Sequence, residues 1–343
     1  MNSDSKKLMI FICIFAAAAA VLLGLLILIG AISGPLISEK PPATSQVIPI
    51  PPSENETPAT TSTDVQLYFR FGEEGMLACE TRTIQTAANQ RLEYAVLREL
   101  IRGPSSQSTE LERVISSQTQ IISITEQGDT LYVTFNNEFL RRSSTLPDGW
   151  GEDSALREEE YLRRRLAVHS VVNTLTGLGN YSHVQILIDT EGNGIGQTVT
   201  RGRMGFLEDL SIKERPLEPR AFENSVVLTP ENTVSSILRA TLMHDWQSLY
   251  SFISSRSESG LSRPLYDSAA ADLQNLQLQV ESYEVVGVVI SADGKSAVVR
   301  INLIYQNAEG ERIERISYPI KLRAHNEIWK VDFDRFLSIF TGA

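Results

Sequence analysis

The stretch MLACETRTIQ, residues 76 to 85, holds the one cysteine outside the N-terminal apolar segment, Cys79, followed by Glu80, Thr81 and Arg82. A thiol beside a carboxylate, a hydroxyl and a guanidinium has the parts of a nucleophilic site. A reactive thiol, however, needs a base or a lowered pKa, and the nearest histidine in the sequence is His169. Three other groupings carry chemistry on paper. Asp189-Thr190-Glu191-Gly192-Asn193-Gly194 opens like a calcium loop, with oxygen ligands at positions 1, 3 and 5 and glycine at 6. Position 12 is Thr200 where a glutamate belongs, and a strand precedes the loop instead of a helix, so a strand-exit turn explains the same residues. His244-Asp245 has the form of a dyad, but sits where an apolar helical pattern breaks, which suits a local cap. Glu158 to Arg165, EEEYLRRR, reads as a solvated helix face with Glu159–Arg163 and Glu160–Arg164 pairs at i,i+4. His169, His183, His244 and His325 form no HxH or HxxxH pair, which argues against zinc. No catalytic, cofactor-binding or metal-ligating residues are assigned from these patterns; the chain reads as a non-enzyme without cofactor, and Cys79 as a small half-buried residue.

The elements around these residues follow from period and punctuation. Val65–Phe71 alternates as a strand, Gly72–Gly75 turns, and Met76–Cys79 returns. A helix over about 88–102 carries Leu97, Leu100 and Ile101 as an apolar stripe and closes at Arg102-Gly103-Pro104. Ile121 to Phe135 reads as a hairpin turning at Gln127-Gly128-Asp129. A second helix over about 157–175 has Leu162, Leu166, His169 and Val172 on one face, and His183–Ile188 is a strand. The expected arrangement is α+β, with helices layered on one sheet.

These segments resemble the GerM domain. LYFRFGEEGMLACETRTI, YAVLRELIRGP, LYVTFNNEFL and VVNTLTGLGNYSHVQILID occur in the family's order, with FLEDLSIKERPLEPR similar to its tail. The resemblance covers about residues 65–215, within a domain read as 64–220. It implies an extracytoplasmic, non-enzymatic module of sporulation, germination or envelope proteins, some of which resemble ring-building domains that self-associate. No catalytic residue is carried over from it.

Residues 224–343 read as a second domain. Thr229-Pro230-Glu231 starts a helix with cap, N1 proline and first-turn acid. A second helix resumes at Trp246, and strands at Val285–Ile290, Ala297–Ile304, Ile313–Arg323 and Glu327–Phe333 follow, the last with Trp329 turned inward. Asp293-Gly294 and Asn307–Gly310 mark the turns. Helices followed by antiparallel strands ending in IWKVDFD resemble the NTF2-like cone folds, an analogy of fold that leaves function open.

Ahead of both lies a different kind of chain. Leu8 to Ile32 is 25 uncharged residues, enough for a helix to cross about 30 Å of hydrocarbon. Lys6 and Lys7 precede it and Lys40 is the first cation after it, which places residues 1–7 in the cytoplasm and the rest outside. The competing reading, a cleaved signal peptide with Ala31 and Ser33 near its cleavage site, expects a shorter apolar run. Residues 33–63 are rich in Pro, Ser and Thr and read as an extended linker. The chain has 31 Lys and Arg against 42 Asp and Glu, a formal charge of −11, which excludes a basic nucleic-acid footprint. The expectation is a single-pass membrane protein presenting an interaction or scaffold module to envelope or sporulation partners, compatible with a homo-oligomer. The alternative is an extracytoplasmic sensor holding a small ligand or peptidoglycan fragment in the NTF2-like domain.

Overall fold

The computed structural model describes residues 60–207, 209 and 211–341. The apolar segment 8–32, the tail 1–7 and all but the end of the 33–63 linker lie outside the described residues. Among the described residues no helix is long and apolar enough to cross a membrane.

The chain is mixed α+β. Strand β1 (Thr60–Phe71) turns through Gly72 into β2 (Leu77–Ala87), and helix α1 (Leu92–Arg102) follows. The linker expected to 63 ends earlier, because Thr60 to Thr63 already pair with Ala87 to Ile84. Three of these four residues are threonines, β-branched side chains that suit a strand. After α1, the short β3 (Leu111–Glu112) leads to the hairpin β4 (Ile121–Gln127) and β5 (Thr130–Asn136). Helix α2 (Ser154–Thr176), capped by the Asp153 carboxylate, crosses back to β6 (His183–Asp189), which runs parallel to β5. A parallel pair requires such a crossover.

The expected single sheet is corrected: the six strands form two, ordered β2-β1-β3 and β4-β5-β6. The reason lies on the free edge of β1. There the Tyr68 amide donates to Thr174 Oγ1 at 3.2 Å, and the Tyr68 carbonyl accepts from Ser170 Oγ at 2.6 Å. Hydroxyls of α2 thus satisfy peptide groups that a further strand would otherwise have paired. The same helix packs on both sheets, and from Leu166 to Leu175 it is buried on every side. At its solvent end, Gly205 (φ +86°) passes so close to α2 that a Cβ would stand 2.0 Å from the Tyr161 carbonyl oxygen, so only glycine fits.

The second lobe begins with α3 (Pro230–Leu242), where Thr229 accepts from the Asn232 amide and Pro230 stands at N1, as its sequence implied. Asp245 caps α4 (Trp246–Ser251), and α5 (Tyr266–Asn275) follows. Strands β7 (Gln279–Ile290), β8 (Ser296–Gln306), β9 (Arg312–His325) and β10 (Ile328–Lys330) form one antiparallel sheet in the order β10-β9-β8-β7. The expected last strand to Phe333 stops at Lys330, and a final helix α6 (Phe333–Thr341) follows, carrying buried Phe336, Ile339 and Phe340. Trp329, expected inward, is half-buried; Ile328 and Lys330 take the inner side of the short strand. Val299, Ile301, Leu303 and Tyr305 of β8 are fully buried. The Tyr305 hydroxyl donates to the Phe340 carbonyl at 3.0 Å, tying the sheet to α6.

Residues Thr57–Ala343 form one compact unit. The described core is contiguous through it, from Val65 to Phe340, so this stretch carries its own core without the preceding segment.

Candidate functional site

MLACETRTIQ lies on β2 and in the seam between the lobes. The Leu77 carbonyl accepts from the Leu228 amide at 2.8 Å, and Leu77 bridges Val227. Farther along, Glu327 Oε2 accepts from the Thr81 amide at 2.8 Å and lies 3.7 Å from Cys79 Sγ. Glu327 sits in the two-residue turn between β9 and β10, where Asn326 (φ 48°) and Glu327 (φ 66°) are both left-handed. That is the geometry of tight hairpins, and a glutamate there is strained relative to glycine or asparagine.

The Cys79 thiol is held in its protonated form. Burial pushes its pKa up to about 12, and the Glu327 carboxylate adds to the rise. A thiolate is the nucleophile, and the raised pKa disfavours it; Cys79 is half-buried, as expected. Glu80 and Arg82 instead fasten β2 to the end of α1. Arg82 donates to Glu80 at 2.6 Å, to Glu99 at 3.2 Å and to the Gly103 carbonyl at 2.7 Å, while Glu80 accepts from the Ser105 amide at 3.0 Å. Burial tends to raise the Glu80 carboxyl, but Arg82 and the Ser105 amide outweigh it and hold it below the usual range.

A buried cation closes the other end of the seam. Lys330 is 4% exposed; its ammonium pairs with Glu110, donates to the Ser251 carbonyl at 2.8 Å and lies 5.3 Å from the Phe71 ring centroid. Burial pulls its pKa down and Glu110 opposes the fall. Phe71 packs on Phe252 with centroids 5.3 Å apart, and Ser248 Oγ donates to Glu74 Oε1 at 2.6 Å. Sequence reasoning missed Lys330 and Glu327 as seam residues. With Trp329 read as inward, strand alternation put its neighbour Lys330 on the outer side, so the pattern gave no sign of its burial.

The other sequence candidates resolve locally. Asp189 accepts from the amides of Gly192, Asn193 and Gly194 at 2.7, 3.1 and 2.8 Å, which hold its carboxyl below the ordinary range, the Gly194 amide most of all. The loop is a turn closed on its own backbone. His244 (φ 54°) marks the helix break, with Nε2 3.1 Å from the Leu278 carbonyl, and Asp245 accepts from the Ser248 amide at 3.0 Å. Among the described residues no cluster of His, Cys, Asp or Glu could hold a metal ion.

The Glu158–Arg165 run departs most from its expected form. Glu159 leaves Arg163 and pairs with Arg70 of β1, whose side chain is 7% exposed. Glu160, with no exposed side chain, takes Arg163 at 2.8 Å and Arg164 at 2.7 Å and accepts from the Ser143 amide at 3.3 Å. Burial raises its pKa, but the two arginines prevail and the carboxyl stays below its usual range. These residues border two adjoining clefts of about 590 and 560 Å³ that share Arg113, Val114, Ser143 and Arg163. The first is mixed in charge, with Glu73, Glu112, Glu159 and Glu160 in its wall; the second has arginines and serines.

An α+β lobe sealed to a second α+β lobe by backbone and ionic contacts is the class this geometry defines. Residues 66–192 match the family model described as Germane, sporulation and spore germination, and the chain carries a GerM-type domain over that stretch. Among solved structures, the tandem GerMN domains of the sporulation protein GerM from Bacillus subtilis are 15% identical, with 48% of this chain covering 46% of that one at a TM-score of 0.30. The first GerMN domain alone is 16% identical, with 46% of this chain covering 96% of that one at 0.29. A protein described as a polyketide cyclase from Pseudomonas putida is 16% identical, with 30% of this chain covering 89% of that one at 0.23. Similarity at these scores carries no assignment for either lobe. No curated protein sequence matches the chain.

Proposed function

We propose that this chain is a membrane-anchored extracytoplasmic scaffold of sporulation, germination or envelope assembly that works through protein contacts and not catalysis. The observation that carries the reading is the GerM-type domain at 66–192 sealed by Thr81–Glu327 and Glu110–Lys330 to a second lobe. A joint fixed at both ends suits a rigid spacer that presents surfaces in set orientation. The 25-residue apolar segment supplies a single-pass anchor, with the N-terminus cytoplasmic and the Pro-rich stretch as a stalk. The second lobe, helices against a bent antiparallel sheet, is read as NTF2-like.

The sensor alternative draws less support. Ile301, Leu303 and Tyr305 of β8 are fully buried in the same core as Ile237 and Leu238 of α3 and Phe336 and Phe340 of α6, with the Tyr305 and Phe340 rings edge-on at 5.2 Å. The deciding experiment is imaging of a fluorescent fusion of the full chain in sporulating cells of the source organism, with deletion of its gene, alongside sedimentation of the purified chain. Septal or spore-envelope localisation with a sporulation or germination defect and concentration-dependent self-association is expected. Uniform cytoplasmic signal, a normal deletion strain and a monomer at all concentrations would sink the reading.

A further inference from the structure

The second cleft gathers Arg113, Arg141, Arg142 and Arg163 with Ser116, Ser117, Ser143 and Ser144, and no carboxylate is among its lining residues. This local sign is opposite to that of the chain, which carries −11. The four arginines divide into braces and arms. Arg163 is a brace: it donates to the Val114 carbonyl at 2.6 Å and the Arg141 carbonyl at 2.8 Å while held by Glu160, so it fixes both loops that form the walls. Arg113 is the other, donating to the Arg102 carbonyl at 2.5 Å across Gly103, where a Cβ would stand 2.7 Å from its Nε.

Arg141 and Arg142 are the arms. Their side chains are 60% and 44% exposed, and each meets one carboxylate, Glu138 at 2.8 Å and Asp148 at 3.4 Å, neither of which lines the cleft. Exposed pairs of this kind are weak, so a doubly charged ligand can displace them. A guanidinium fork binds two oxygens of an oxyanion at once, and serine hydroxyls supply further donors. Together they offer more donors than one carboxylate can accept, whereas a phosphate monoester presents three terminal oxygens and a charge of about −1.5 to −2.

We propose that the cleft between the Arg113–Gln118 and Arg141–Ser144 segments binds a phosphate-class oxyanion, either a soluble phosphoester or a phospholipid headgroup, with Arg141 and Arg142 as the ligand-contacting arms. The site is independent of the scaffold reading.

The test uses the stretch Thr57–Ala343, with thermal stabilisation and calorimetry against inorganic phosphate, glycerol phosphate and acetate, and co-sedimentation with phosphatidylcholine vesicles with and without phosphatidylglycerol. Saturable stabilisation by the soluble phosphates, weakened about tenfold or more in Arg141→Ala/Arg142→Ala, is expected. The double variant should keep the unliganded melting temperature, Arg141→Lys/Arg142→Lys should retain part of the binding, and Arg312→Ala, in the second lobe, should bind as the parent does. Binding to phosphatidylglycerol vesicles alone that disappears in the double alanine variant also supports the site and makes the headgroup its source. The proposal fails if neither soluble phosphates nor anionic vesicles bind, if the double variant binds as well as the parent, or if acetate binds as tightly as phosphate.

Discussion

Glu327 accepts a hydrogen bond from the Thr81 amide at 2.8 Å across 246 residues of sequence, joining the last hairpin of the second lobe to β2 of the first. The glutamate is held in a left-handed conformation to do so, and the same carboxylate stands over the Cys79 thiol. One side chain therefore links turn geometry, lobe contact and thiol chemistry.

Glu327→Gln should lower the Cys79 pKa from about 12 but leave it above its ordinary value of 9.0, because burial is the larger cause of the rise. Alkylation rates against pH on the native chain measure this. A parent thiol titrating near 8 to 9, or no change on substitution, would contradict it. The sign for stability follows. A raised folded pKa leaves this contribution intact below the unfolded value and removes it as pH climbs from about 9 toward 12. Cys79→Ala should accordingly flatten the alkaline loss of stability.

At Lys330, asymmetry between the partners is expected. Glu110→Ala leaves a buried ammonium with only the Ser251 carbonyl and should destabilise by about 2 kcal/mol. Lys330→Met removes the charge and keeps the stem packed beside Phe71, so it should fall within about 1 kcal/mol of the parent. Urea unfolding of both variants and the double variant distinguishes the cases; equal losses would show that the pair itself, and not burial of one charge, matters.

Glu160 has no exposed side chain and serves two arginines and a loop amide. Glu160→Ala should cost about 3 kcal/mol, since it leaves two largely covered guanidiniums without their carboxylate. Its lowered carboxyl pKa contributes stability that is fully present above the ordinary value of 4.5 and lost as pH falls through the folded value. The parent should therefore lose stability on acidification more steeply than Glu160→Gln. Parallel pH profiles for the two would rule this out.

The Asp189 loop gives a calcium test. Its carboxylate already accepts three backbone amides, so millimolar calcium should leave the melting temperature unchanged, while Asp189→Ala should lower it. A calcium-dependent rise abolished by that substitution would restore the metal reading.

Much of the local structure was legible. Thr229-Pro230-Glu231 starts α3, and Asp293-Gly294 and Asn307–Gly310 turn where their chemistry requires, with Gly294 and Gly310 at φ 68° and 77°. These features depend on residues within a few positions of one another. Helix α6 was hidden because VDFD continues the alternation of β10. The charged run on α2 was legible as a helix and in its Glu160–Arg164 pair, but not in the rest of its network: i,i+4 spacing offered Arg163 to Glu159, while the fold offered Arg70, 89 residues away.

The sequence by itself determined the α+β alternation, the caps and turns and the half-burial of Cys79, because backbone preference and hydrophobic period are local properties. Tertiary structure alone decided that β1 stops at a helix edge, where Ser170 and Thr174 hydroxyls replace a strand. It also decided that Glu327 and Lys330 reach the first lobe and that four arginines converge on one cleft. Those outcomes depend on which polar groups must find partners once the chain has collapsed, and such partners come from any distance along it.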